Sequence, residues 1–143
     1  FAKNTFPRIN SEYVASGKVR FIYYVYPPIE LTKAALCAQE QNKFMEYHEY
    51  IFAHQTQITG EQDLKTFANN AGLDMSKFNA CYDDQSKFKE IVGEGSQPGK
   101  WYQEGTARGI DATPSFFING QKLIGAQPYE EFKKIIDEKL NQQ

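Results

Sequence analysis

Cysteine is scarce in this chain. Cys37 and Cys81 are the only two among 143 residues. Their separation excludes a CxxC redox pair and a cysteine-rich zinc site within the chain. Histidine is equally scarce. His48 and His54 stand at i, i+6, on different faces of a helix, so they do not chelate one metal together. Neither sign of charge is in excess: the net charge is −2, which argues against binding nucleic acid or an anionic membrane through bulk charge. No apolar run approaches the ~20 residues of a membrane-spanning helix. Repeats and low-complexity segments are missing as well. Aromatic residues are plentiful, with eleven Phe, nine Tyr and one Trp. They point to an aromatic-rich interior, and the length suits one domain.

The pattern along the chain is mostly helical. Phe6, Ile9, Tyr13 and Val14 mark one face of a helix over Phe1–Ser16, closed by Gly17, with Pro7 expected to kink or restart it. Val19–Tyr26 is β-branched and aromatic throughout, as in a buried strand, and Pro27-Pro28 ends it. Leu31–His54 reads as one long helix with Cys37, Phe44, Tyr47 and Ile51 on a face. Thr59-Gly60-Glu61-Gln62 fits a capping box. It opens a helix carrying Leu64, Phe67, Ala68 and Ala71, stopped at Gly72. Asp74 caps the next helix, with Phe78, Cys81 and Tyr82, and Gln85–Val92 reads as another. Gly93, Gly95, Pro98 and Gly99 break the pattern before a last piece, Lys100–Arg108.

A hairpin follows. A proline cannot donate to a ladder and so belongs at the head of a strand or on an edge. Asn-Gly supplies the positive φ angles of a tight turn. Pro114 therefore heads a strand over Ser115–Ile118, turned at Asn119-Gly120 into a second strand, Gln121–Ile124. X-Pro is the one bond where cis is cheap, and the local sequence leaves cis and trans open at Thr113–Pro114. Pro128 sits where a first-turn proline belongs, before a helix with Tyr129, Phe132, Ile136 and Leu140 on one face. This order implies an α/β sandwich. The helices of residues 31–108 are too many for one crossover, and read as an all-helical insertion in a core made of residues 1–30 and 109–143. The chain opens at Phe1, not Met, and inside a helical pattern, so it is expected to be part of a longer or processed polypeptide.

Five pieces in order resemble the DsbA-like branch of the thioredoxin superfamily. They are GKVRFIYYVYP (Gly17–Pro27), CAQEQNKFMEYHEYIF (Cys37–Phe52), AGLD with FNAC (Ala71–Asp74, Phe78–Cys81), GIDATPSFFING (Gly109–Gly120) and GAQPYEEF (Gly125–Phe132). The resemblance covers nearly the whole chain. It implies a thioredoxin-like α/β fold with the helical insertion, acting in thiol–disulfide exchange on exported proteins. In that family a CxxC opens the first core helix, whose N-terminus favours the thiolate. Here the CxxC, and the core strand before it, are expected just upstream of Phe1, so the sequence itself would be redox-inactive.

The resemblance further implies that Thr113 and Pro114 bind substrate, with Pro114 cis. The implied partners are cysteine-containing protein substrates and a redox partner protein. No cofactor or metal is implied, and the implied location is extracytoplasmic. A longer polypeptide, or another chain in a dimer or strand exchange, would supply the missing strand. Cys37 and Cys81, on the apolar faces of their helices, are open to three readings: buried free thiols, a disulfide between two insertion helices, or a redox-active pair. Relatives with cysteines at similar places lean toward the disulfide. Two other functions remain in view. One is a glutathione-dependent relative of the kappa-class transferase or isomerase type. The other is a redox-inert module that grips extended peptides.

Overall fold

A computed structural model describes residues 1–25 and 28–142. The chain divides into two units, Phe1–Tyr23 with Gly109–Gln143, and Tyr24–Arg108.

In the first unit, Pro7 opens a helix instead of kinking one. Helix α1 is Phe6–Ile9, with Pro7 in its first turn, where a missing N–H breaks no intrahelical bond. It continues as a π-helical segment, Asn10–Val14. Strands β3 (Ser115–Ile118) and β4 (Gln121–Ile124) pair antiparallel, with Ser115 opposite Ile124 and Ile118 opposite Gln121. Asn119 and Gly120 turn between them with φ of 44° and 86°, the left-handed pair that matches the twist of a two-residue hairpin. Helix α8, Tyr129–Leu140, follows Pro128, which sits at the N-cap, one place before the first turn. Phe116, Ile118 and Leu123 pack with Phe132, Ile136, Tyr129, Ile9 and Tyr13. Phe116 meets Phe132 edge to face at 4.8 Å. The Phe1 ring lies 4.5 Å from Phe116, 5.2 Å from Phe132 and 6.1 Å from Phe21.

The strand expected over Val19–Tyr26 does not form over residues 19–25, and Tyr26 lies outside the described residues. The residues nonetheless alternate. Val19, Phe21 and Tyr23 are half-buried, while Arg20 and Ile22 are exposed, Ile22 by 54%. A period of two sets the face of a strand but does not supply its neighbour.

In the second unit the expected long helix is two. Helix α2 is Ile29–Glu40 and α3 is Phe44–His54. They part at Asn42, whose φ of 56° is left-handed and incompatible with a continuing helix. Helix α4 is Glu61–Asn70. Its capping box is shifted by one: Asp63 Oδ2, not Gln62, accepts from Thr59 N (2.7 Å) and Gly60 N (3.1 Å). Helix α5, Met75–Asp83, is capped by Asp74, which accepts from Ser76 N and Lys77 N. Of the helix expected over Gln85–Val92, only α6 (Lys89–Val92) forms. Asp84 Oδ1 takes the backbone N–H and hydroxyl of Ser86, a local alternative to helical bonding. A short hairpin missed in the sequence joins β1 (Gly93–Glu94) to β2 (Gln97–Pro98), and α7 is Lys100–Ala107. The core of this unit gathers Ala34, Cys37, Tyr47, Leu64, Phe67, Phe78 and Tyr82. Inside it the Tyr47 hydroxyl donates to the Leu64 carbonyl at 3.1 Å.

Candidate functional site

The loop before β3 is held from two sides. Lys122 Nζ donates to the Gly109 carbonyl at one end. At the other, Ser115 Oγ donates to the Ala112 carbonyl at 2.6 Å. Thr113 and Pro114 are exposed between these ties, and their peptide bond is cis. The Pro114 carbonyl accepts from Gly125 N at 2.8 Å, which extends the β3–β4 ladder by one bond. Gly125 (φ 85°), which opens the GAQPYEEF piece, follows the second strand directly.

Antiparallel pairs alternate between hydrogen-bonded and non-hydrogen-bonded. The Pro114–Gly125 bond makes Ser115–Ile124 a non-hydrogen-bonded pair, so the Ser115 N–H and C=O point away from β4. Among the described residues the sheet ends at β3 on that side. Thr113 makes no backbone hydrogen bond among the described residues. Ser115 therefore offers a main-chain donor and acceptor at the head of the strand, next to the exposed, unbonded main chain of Thr113. Such an edge pairs readily with an extended chain.

Cys37 and Cys81 belong to the other unit and form a disulfide, with Cα atoms 5.8 Å apart. The bond ties α2 to α5 and is buried, at 0% and 5% exposure. No cysteine of the chain is free. Around it, burial pushes the Tyr47 phenol up, and pushes Tyr82 up to about 12. Lys33, buried on α2, donates to the Asp84 carbonyl at 2.6 Å and stands 5.7 Å above the Tyr82 ring. His48 is held below its ordinary value by burial. Among the described residues no group of three or more His, Cys, Asp or Glu could hold a metal ion. None of their helices is long and apolar enough to cross a membrane.

A cis-proline loop before a β-hairpin, with a helix packed on the hairpin, accords with a thioredoxin-like domain. A family model described as Thioredoxin matches residues 1–138, and the chain belongs to that family, which generally includes oxidoreductases. The chain is also similar to the Na(+)/H(+) antiporter NhaA 3 of Salinispora tropica, 27% identical over 133 residues. That likeness covers 86% of this chain but 18% of the antiporter, so the chain spans less than a fifth of that relative's length.

Proposed function

We propose that this chain is the substrate-holding part of a DsbA-like thiol–disulfide oxidoreductase that works on exported proteins. The observation that carries the reading is the main chain of Thr113 and Ser115, unpaired at the exposed head of β3. An extended substrate adds to that edge by main-chain hydrogen bonds, which orient its cysteine without reading its side chains. The chain's two cysteine sulfurs are bonded to each other and buried, so they take no part. The reacting pair is a CxxC of a longer polypeptide.

A substrate thiolate attacks one sulfur of the CxxC disulfide and forms a mixed disulfide. The other CxxC sulfur leaves as a thiolate. The substrate's second thiolate then attacks its own bridged sulfur, forming the substrate disulfide and expelling the first CxxC sulfur. The substrate loses two electrons and the CxxC gains them, so a redox partner must reoxidise the pair. An extracytoplasmic location accords with a disulfide that persists in the helical unit.

The reading is tested by peptide oxidation with the full-length protein and with its upstream cysteines changed to Ser. Loss of oxidation in the variant is expected, together with slower oxidation of a peptide N-methylated beside its cysteine. Undiminished activity of the Ser variant overturns it.

A second reading follows from the absence of a free thiol in this chain. It is a peptide-holding module within a larger protein, as the matching stretch is a minor part of the antiporter. Binding of cysteine-free extended peptides, with no thiol transfer by the full-length protein, separates it from the first.

A further inference from the structure

Gln127 stands in the turn between β4 and α8, and that turn is fastened on two sides. The Gln127 backbone N–H donates to the Gly125 carbonyl at 2.9 Å. Its Nε2 donates to the Ile124 carbonyl, also at 2.9 Å. Its own carbonyl accepts from the Thr5 hydroxyl at 3.3 Å. Thr5 is buried at the N-cap of α1, so one residue ties the turn to the end of β4 and to the first helix. All of these groups belong to the unit that carries the hairpin.

Gly125 is the residue this turn holds. Its φ of 85° is left-handed. Glycine enters that region freely but does not prefer it, so its neighbours must impose the pose. A Cβ at Gly125 would stand 3.5 Å from Gln127 Nε2, which places the carboxamide directly over the glycine. The Gly125 N–H in turn donates to the Pro114 carbonyl. That bond is the one that makes Ser115–Ile124 a non-hydrogen-bonded pair and turns the Ser115 main chain outward.

The same carboxamide acts on the opposite edge of the hairpin. In a non-hydrogen-bonded pair both residues point their N–H and C=O away from the partner strand. The outward carbonyl of Ile124 is taken by Gln127 Nε2. Among the described residues the Ser115 carbonyl has no such cover. At the head of the hairpin an extended chain therefore finds its open acceptor on β3.

We propose that Gln127 is the positioning residue of the substrate edge. Its carboxamide holds Gly125 against Pro114 and closes the Ile124 carbonyl, so that a peptide pairs at Ser115 and not along β4. The inference rests on the peptide-holding reading of that edge and adds the side chain that sets its register.

The test uses the full-length protein and two variants. Gln127→Met keeps the length of the side chain and loses the donor; Gln127→Lys keeps a donor of similar reach. Two quantities are read: hydrogen exchange of the Gly125 amide, and steady-state oxidation of N-acetyl-Ala-Cys-Ala-Ala-Cys-Ala-amide with glutathione disulfide as terminal oxidant. In the Met variant the Gly125 amide should exchange faster while the Phe132 and Ile136 amides of α8 keep their rates. KM for the peptide should rise about three- to tenfold, one hydrogen bond's worth of affinity, with kcat nearly unchanged, as for a loss of uniform binding. The Lys variant should recover both quantities. Unchanged Gly125 exchange and KM in the Met variant overturn the proposal, as does a Lys variant equally impaired, or a fall in kcat at constant KM. If the wild type oxidises no peptide, the thiol reading fails, and the Gly125 amide alone decides: faster exchange in the Met variant sustains the proposal and equal exchange overturns it.

Discussion

The Tyr13 hydroxyl donates to Asp137 Oδ1 at 2.7 Å, joining the π-helical segment to α8 across 124 residues of sequence. Lys133 completes the arrangement, 2.8 Å from Asp137 Oδ2 and 3.2 Å from the Tyr13 oxygen. Lys133 and then Tyr13 hold the Asp137 carboxyl below its ordinary value of 3.8. A depressed carboxyl stabilises the fold above its unfolded value and loses that contribution as pH falls through its folded one. Wild-type stability should therefore drop as pH falls below about 4, and Asp137→Asn should flatten part of that drop. Asp63, lowered by the Thr59 and Gly60 donors, contributes with the same sign, so the flattening is partial. Urea unfolding midpoints measured across the acid range check it, and an unchanged slope in the variant contradicts it.

The Cys37–Cys81 bond closes a loop of 44 residues. In the chain-entropy account a loop of that length stabilises by about 4 kcal/mol. The double variant Cys37→Ala/Cys81→Ala should lose stability of that order, measured by denaturant unfolding. Because both sulfurs are buried, dithiothreitol should reduce the wild-type bond quickly only when the helical unit is unfolded. Rapid reduction in native buffer would count against the burial.

Tyr47 is fully buried, and its hydroxyl reaches the Leu64 carbonyl. Tyr47→Phe keeps the ring and removes the bond, at a cost of about 1 kcal/mol. Tyr47→Ala also opens a cavity, at about 3–5 kcal/mol. A thermal-melt series of the three proteins should keep that order.

Gly99 has ordinary backbone angles but no room. A Cβ there would fall against backbone atoms of Gly93, Ile91 and Val92. Gly99→Ala should cost about 3 kcal/mol through forced backbone movement. Equal unfolding midpoints for variant and wild type would show that the hairpin yields freely.

The sequence was most legible where signals are local. The bounds of β3 and β4 follow from Pro114 and from Asn119-Gly120, because φ preferences act within a residue or two. The break at Asn42 was hidden, since the chain carries neither glycine nor proline there and an asparagine is only modestly suited to the left-handed region. Ladder partners are non-local, so residues 19–23 display a strand's alternation without announcing its neighbours. At the candidate site, Pro114 stood out by its place before a strand, and Thr113 through the resemblance to the DsbA-like branch. The pairing that turns Ser115 outward became visible only through Gly125, ten residues further on.

With both of its cysteine sulfurs sealed in one bond, the chain is a silent background for thiol-trapping chemistry. An alkylating label or a trapped mixed disulfide on the full-length protein, under native conditions, would report a cysteine elsewhere in the polypeptide. The reacting sulfur could then be located by mass, without first removing any cysteine from this chain.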